Sequence, residues 1–287
     1  MPKILAVYRE KTNSPNREQD DALILEAVAR ELETLGAQVK LIEPSAISAV
    51  NPDEWDAVIP MCENPPALIT IGKWAKPLLM NPVSAVFNCY RVNMTPLMTA
   101  CDGIHPQTEI RAITDIPGKT APAFCGEKGV WIKRGDVHNT CDHDVVYVKT
   151  WADSAAVRAD FESREITKVV IQEHIDGDLI KFYGVGPFKW FGWFYHSTPQ
   201  AREYKFDLQT LESYAASVAK AVGLEVYGGD AIITPQGRIY IIDINSWPSF
   251  ARVRNDVKKP IAEHIYGRVA KKTGKTRNGI TAKGAVA

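Results

Sequence analysis

The chain has 287 residues, with 34 Lys plus Arg against 34 Asp plus Glu, so its formal net charge at pH 7 is zero. A protein that follows a nucleic-acid backbone normally carries a basic excess, because affinity there comes from neutralising phosphates, and this chain has none. At 45% hydrophobic and 24% charged residues it can build a real core, and at about 150 residues per domain it divides into roughly two.

No apolar run approaches the roughly 18 residues that a bilayer span needs. The start, MPKILAVYREK, becomes charged too early for a secretory leader. Cys62, Cys89, Cys101, Cys125 and Cys141 contain no CxxC pair, which argues against a disulfide framework or a zinc knuckle. A cytoplasmic protein with no nucleic-acid or membrane partner is expected, its oligomeric state open.

In chain order, residues 3–9 form an apolar run that ends in a charged loop. Residues 18–35 place Ala22, Leu25, Ala29, Leu32 and Leu35 at helical spacing, closed by Gly36. QVKLIEP (38–44) and DAVIPMC (56–62) read as strands, giving the βαβ rhythm of a parallel, ligand-binding sheet. The proline-rich stretch 60–66 reads as a loop, AVFN (85–88) as a further strand and about 95–102 as a helix. The texture then changes. TEIRAI, GVWIKRG, DVVYVKT and KVVIQEHI are strand-like runs around a helix at 154–165, followed by LIKFYGVG and WFGWFYH. A helix over 208–222 leads to YGGDAIITPQGRIYIIDIN, two strands joined by a Pro-Gln-Gly turn. FKWFGWFYH (188–196) alternates large residues on both faces, which predicts a strand buried on both sides rather than a ligand platform. From Lys271 on, five basic residues, three glycines and no acid read as a frayed tail, without which residues 1–270 carry minus five. The expected fold is an α/β N-terminal domain followed by an α+β module with antiparallel sheets.

Three stretches carry candidate chemistry. In IIDINSW, Asp243 and Asn245 project to one face, and Asp230 of GGDAII lies one strand over. Hard oxygens converging from neighbouring strands suit Mg²⁺, which takes one or two carboxylates plus the phosphates of a nucleotide; both are poor strand formers interrupting an apolar run. In VWIKRGDVHNT, Lys133 can meet a phosphate as a point charge. In VVIQEHIDGDLIKFYGVG, a strand ends at Gln172-Glu173-His174-Ile175, breaks at Gly177 and resumes with Lys181, a break where a flat adenine can be wedged. Near the N-terminus, Arg9, Lys11 and Arg17 cluster with Ser14 before a helix, a ready anion site. Asn88 and Arg91 can face the same crevice. The bland alternative for this cluster is a solvated loop.

Taken in order, these stretches resemble the ATP-grasp superfamily over about Met94 to Phe250. The resemblance implies ATP clasped between two α+β subdomains. It puts Lys133 and Lys181 on the phosphates, Gln172, Glu173 and Ile175 at the adenine, and Asp178 near the ribose, with Ser197 also at the nucleotide. Asp230, Asp243 and Asn245 would hold Mg²⁺. The implied division is an N-terminal substrate-binding domain at 1–93, a central subdomain at 94–176, a C-terminal subdomain at 177–270 and a tail at 271–287.

Within the superfamily, KRGDVHNTCDH, LIKFYGVG, HSTP and DINSWPSF are similar to motifs of the inositol trisphosphate 5/6-kinase family. The chain departs from them at Gly135, Asp136, Asn139 and Ser249. It is also similar to the ribosomal-protein and glutathione-type ligases. The expected activity is thus a kinase acting on a phosphorylated polyol, with a carboxylate-amine ligase as the alternative. A nucleotide-binding module without catalysis is a third possibility, which intact Lys133, Lys181, Asp243 and Asn245 oppose. For the kinase, Lys133, His138 and Lys181 would be catalytic, and a small anionic substrate would meet Arg9, Lys11, Arg17, Arg91, His138, His143, Asn245 and Ser249. The plain alternative for His138 and His143 is a pair of polar loop residues.

Overall fold

The computed structural model describes residues 1–10, 18–101, 103–118, 120–137, 141–196 and 201–274. Three four-stranded sheets organise them. The first is parallel, in the order β2-β1-β3-β4, from β1 (Lys3–Val7), β2 (Gln38–Ile42), β3 (Ala57–Pro60) and β4 (Leu78–Leu79). Strands β1 and β3 are apolar on both sides because both faces are covered. One face packs on Ile24, Leu25, Val28 and Leu32 of α1 (Glu18–Thr34). The other packs on Leu68 and Ile71 of α2 (Pro65–Gly72) and on Val83 and Val86.

AVFN, expected as a strand, lies instead in helix α3 (Val83–Asn88). A run of three apolar residues does not by itself distinguish the two states. Here Pro82 stands at the helix N-cap and the fourth strand position is taken by Leu78–Leu79. Likewise Pro65 and Pro66 open α2, with the Asn64 side chain accepting from the Ala67 N–H. The helix expected at 95–102 is α4 (Arg91–Thr99), so the division at residue 93 falls inside a helix.

The second sheet is antiparallel, in the order β5-β8-β6-β7, from β5 (Thr108–Ala112), β6 (Val130–Arg134), β7 (Val145–Val148) and β8 (Lys168–Glu173), with α5 (Ser154–Ser163) on one face. The third, also antiparallel, runs β10-β9-β11-β12, from β9 (Asp178–Val185), β10 (Trp190–Tyr195), β11 (Val226–Ile233) and β12 (Ile239–Ser246). Helix α6 (Leu208–Val222) covers one side of it. The aromatic strand β10 is the edge of this sheet, half-buried throughout. Trp190 and Phe194 pack into one core, and Phe191, Trp193 and Tyr195 into another.

The last helix, α7 (Arg254–Thr273), packs Val257, Ile261, Ile265 and Val269 into the core of the first sheet. Lys271 and Lys272, expected in the tail, form its last turn, where cations oppose the helix dipole; residues 275–287 lie outside the described residues.

The first and third sheets are joined by polar contacts as well. Asn81 is fully buried: its Nδ2 donates to the Val226 carbonyl (2.7 Å) and Ser246 Oγ (2.9 Å), and its Oδ1 accepts from the Glu225 (2.7 Å) and Val226 (3.0 Å) N–H groups. The second and third sheets are connected by segments 103–107 and 174–177. There Glu173 donates its N–H to the Gln107 carbonyl, and Ile241 of β12 donates to the Ile104 carbonyl. Asn81→Leu should strand these buried groups and destabilise the protein by about 3 kcal/mol or more, measured by urea unfolding.

Candidate active site

Lys181, Asp230 and Asp243 are direct cross-strand partners on β9, β11 and β12, so they form one row on one face of the third sheet. Asn245 lies two residues beyond Asp243, paired with Gly228. A register shift after Asp230 skips Ile242, so Ala231 pairs with Ile241. Lys181 Nζ is 2.8 Å from Asp230 Oδ1, and Arg91 Nη2 is 3.6 Å from Asp243 Oδ2. Arg91 comes from the start of α4 and also donates to the Arg134 carbonyl (3.1 Å), where β6 ends. Gly135 follows, against the Val92 side chain and the Lys168 carbonyl; a Cβ there would lie 2.7 and 2.9 Å from them, so glycine alone fits this exit.

Lys133 of β6 faces this row from the second sheet. It is 6% exposed and donates to Gln172 Oε1 at 2.7 Å. Burial, with Arg91 beside it, pushes the Lys133 ammonium down to about 8, against the pull of Asp243 and Asp230. Burial likewise raises the Asp230 carboxyl, opposed chiefly by Lys181. The cleft between the sheets thus holds Lys133, Lys181 and Arg91 opposite two carboxylates, with cations from three separate elements. Among the described residues no three His, Cys, Asp or Glu side chains form a metal cluster. The donor set is two carboxylates and one amide, which fits Mg²⁺ completed by phosphate oxygens better than an ion held wholly by protein.

Near the link between the sheets, Trp131 Nε1 donates to His174 Nδ1 (3.0 Å), and His174 Nε2 faces Asp176 (3.2 Å). With Tyr147 they form an aromatic group beside Glu173 and the half-buried Ile175. Glu173 Oε2 accepts from the Gln107 N–H (3.2 Å).

His105 was not singled out from the sequence. Its Nδ1 lies 2.9 Å from the Ile241 carbonyl, and its Nε2 lies 3.0 Å from Thr108 Oγ1 and 3.4 Å from Gln172 Nε2. Burial drives its pKa down to about 4, partly offset by the bond to Ile241, and the Lys133 charge adds to the fall. The only sequence signal was a lone histidine before Pro106, which carries little information.

Several expected site residues are engaged elsewhere. Arg9 is no open anion contact: it pairs with Asp21 (3.4 Å) and Glu63 (3.1 Å) and donates to the carbonyls of Met61 (3.3 Å), Ser246 (3.2 Å) and Trp247 (2.9 Å). It holds the turn after β12, where Trp247 is fully buried with a φ of +46° and donates Nε1 to the Met80 carbonyl. Ser249 sits half-buried on that turn. Asp178 is buried, and its two oxygens accept from the Arg202 (2.9 Å) and Tyr204 (3.0 Å) N–H groups, so its carboxylate fastens a loop instead of facing a ribose. Asn88 donates to the Val222 carbonyl (3.0 Å). His143 is exposed in a short 3₁₀ turn. Lys11, Ser14, Arg17, His138, Asn139 and Ser197 lie outside the described residues.

Among the described residues, Glu10 and Glu63 stand at the carboxyl edge of the first sheet, both engaged. Glu10 accepts from the Glu63 and Asn64 N–H groups (both 2.9 Å), filling the start of α2 with the chain's own carboxylate. Burial, then Glu63 and Glu10, raise the nearby Tyr90 hydroxyl to about 12.

No family model and no curated protein sequence matches the chain. Solved structures do. The D-alanyl-alanine synthetase A of Vibrio cholerae superposes with a TM-score of 0.68 at 14% identity, covering 94% of this chain and 98% of that one. The D-cycloserine synthetase DcsG gives 0.67 at 13%, covering 93% and 99%. A RimK domain ATP-grasp protein from Sphaerobacter thermophilus gives 0.64 at 16%, covering 91% and 99%. With two antiparallel sheets facing each other across a charged cleft, and a parallel domain docked beside them, the chain has the ATP-grasp fold.

Proposed function

We propose that the protein is an ATP- and Mg²⁺-dependent ligase that joins a carboxylate to an amine through an acyl phosphate. The observation that carries this reading is the cleft in which Lys133 on one sheet faces the Lys181, Asp230, Asp243 row on the other. Such an arrangement suits a triphosphate and its metal. Asp230, Asp243 and Asn245 would hold Mg²⁺, which when bound neutralises charge on the phosphates. Lys133, Lys181 and Arg91 would orient the γ-phosphoryl group and spread its developing charge. A substrate carboxylate oxygen attacks the γ-phosphorus and ADP leaves; the neutral amine nitrogen then attacks the acyl carbon and inorganic phosphate is expelled, the nitrogen giving up one proton to solvent or to the departing phosphate. Trp131 and the 174–177 link would receive the adenine.

Two observations favour the ligase over the polyol kinase expected from the sequence motifs. Two of the structural neighbours are D-alanyl-alanine synthetase A and the D-cycloserine synthetase DcsG, both named as synthetases. Moreover, Arg9, expected to meet the anionic substrate of a kinase, is consumed by internal contacts.

With Mg·ATP and pooled acids and amines, inorganic phosphate should appear only when both an acid and an amine are present. Label appearing on a single hydroxyl compound would instead establish the kinase. Asp243→Ala should lower turnover by about a hundredfold or more, since a metal's share of charge stabilisation is several kcal/mol.

The Lys133 shift has a further consequence. Its folded pKa, about 8, lies below the ordinary 10.5, so the cost of a buried charge is borne below pH 8 and relieved as pH rises toward 10.5. Comparing melting temperatures of Lys133→Met and the native chain should therefore show the difference moving in favour of the native chain between pH 7 and pH 10.

A further inference from the structure

The hydrogen atoms around His105 can be assigned from their partners alone. Lys133 Nζ only donates, so the group 2.7 Å away on Gln172 must be its oxygen, and Gln172 Nε2 must point to the other side. There it lies 3.4 Å from both His105 Nε2 and Thr108 Oγ1. The Ile241 carbonyl, 2.9 Å from His105 Nδ1, only accepts. The ring proton is therefore on Nδ1, and Nε2 presents a lone pair to the Gln172 amide. Thr108 Oγ1, which has the Pro106 carbonyl at 2.8 Å, is compatible with either partner. Burial keeps this ring neutral. A proton on Nε2 would oppose the Gln172 N–H groups and favour the flipped amide, which would then turn N–H groups toward the lysine.

The network also has a direction in the fold. Gln172 and Lys133 belong to the second sheet, whereas Ile241 belongs to β12 of the third, two residues before Asp243. His105 lies on the 103–107 segment that crosses between them. One ring thus touches the strand that carries Asp243 through Nδ1 and the lysine's partner through Nε2.

We propose that His105 is a positioning residue for Lys133: its unprotonated Nε2 fixes the orientation of Gln172, whose oxygen holds the lysine ammonium, while Nδ1–H locks that arrangement to β12. The inference rests on the nucleotide reading of the cleft. It separates two roles within one side chain, and two conservative substitutions can divide them. In His105→Asn the amide nitrogen stands where Nδ1 stood and keeps the Ile241 bond but removes the ring acceptor, leaving Gln172 Nε2 facing Thr108 Oγ1, whose hydroxyl no longer has the ring beside it. In His105→Gln the acceptor is kept and the Ile241 bond is lost.

Binding of a non-hydrolysable ATP analogue with Mg²⁺ is measured by calorimetry, and thermal unfolding in parallel. His105→Asn should bind about tenfold more weakly while melting near the native temperature. His105→Gln should bind like the native chain and melt lower. Gln172→Met should weaken binding similarly, and adding His105→Asn to it should cost nothing more. Additive losses, or native binding by His105→Asn, would overturn the inference. The double-mutant cycle and the His105→Gln measurement are independent, so either decides if a variant in the other does not fold. A native chain that fails to bind the analogue would refute the nucleotide reading itself, whereas normal native binding with an unaffected His105→Asn refutes only the role of His105.

Discussion

Burying the Asn81 amide between two sheets is tolerable only because each of its polar atoms finds a main-chain or hydroxyl partner. That constraint sets the relation of the N-terminal domain to the rest. The contacts fall on Glu225, Val226 and Ser246, the start of β11 and the end of β12, the two strands that carry Asp230, Asp243 and Asn245. Next to it, Trp247 donates to Met80, and Arg9 reaches the carbonyls of Ser246 and Trp247. The apolar core continues the same junction, with Tyr183, Val185, Val226, Trp247 and Phe250 packed against the first sheet and α7. The first sheet is therefore fixed to the strands that carry Asp230, Asp243 and Asn245, so its carboxyl edge has one position relative to the cleft.

The cleft itself is built by opposition of charge across different elements. Lys181 and Asp230 share a row on one sheet, Arg91 enters from α4, and Lys133 faces them from the other sheet. None of these groups is fully hydrated: Lys181 is held by Asp230 and Arg91 by Asp243, whereas Lys133 is held by the Gln172 oxygen, and these cations are the ones a triphosphate would recruit. The bound substrate and metal would thus exchange one set of ion pairs for another instead of paying for new desolvation from water.

Much of this was legible in the sequence. The strands β1, β3, β6, β8, β9, β11 and β12 and helices α1, α5 and α6 follow from period-two or period-3.6 patterns, and Lys133, Lys181, Asp230, Asp243 and Asn245 stand out as polar residues set into apolar strands. Helix α3 is not legible as a helix because three apolar residues carry no period, and α7 is obscured because Pro260 and Gly267 interrupt a run rich in charge. Arg9 and Asp178 show a different limit. A charged side chain beside a motif looks the same in sequence whether it faces a ligand or closes a loop, and only its burial and partners separate the two.

The sequence by itself determined most of the strands, their alternation, and that Asn245 shares a face with Asp243, because those depend on neighbours a few residues apart. The tertiary structure alone decided that Arg91 stands beside Asp243, that Arg9 and Asp178 are spent on the fold, and that His105 lies between Gln172 and Ile241. These relations join residues 12 to 238 positions apart, several of them on separate sheets, and no local pattern encodes which distant carbonyl or carboxylate a buried donor will meet.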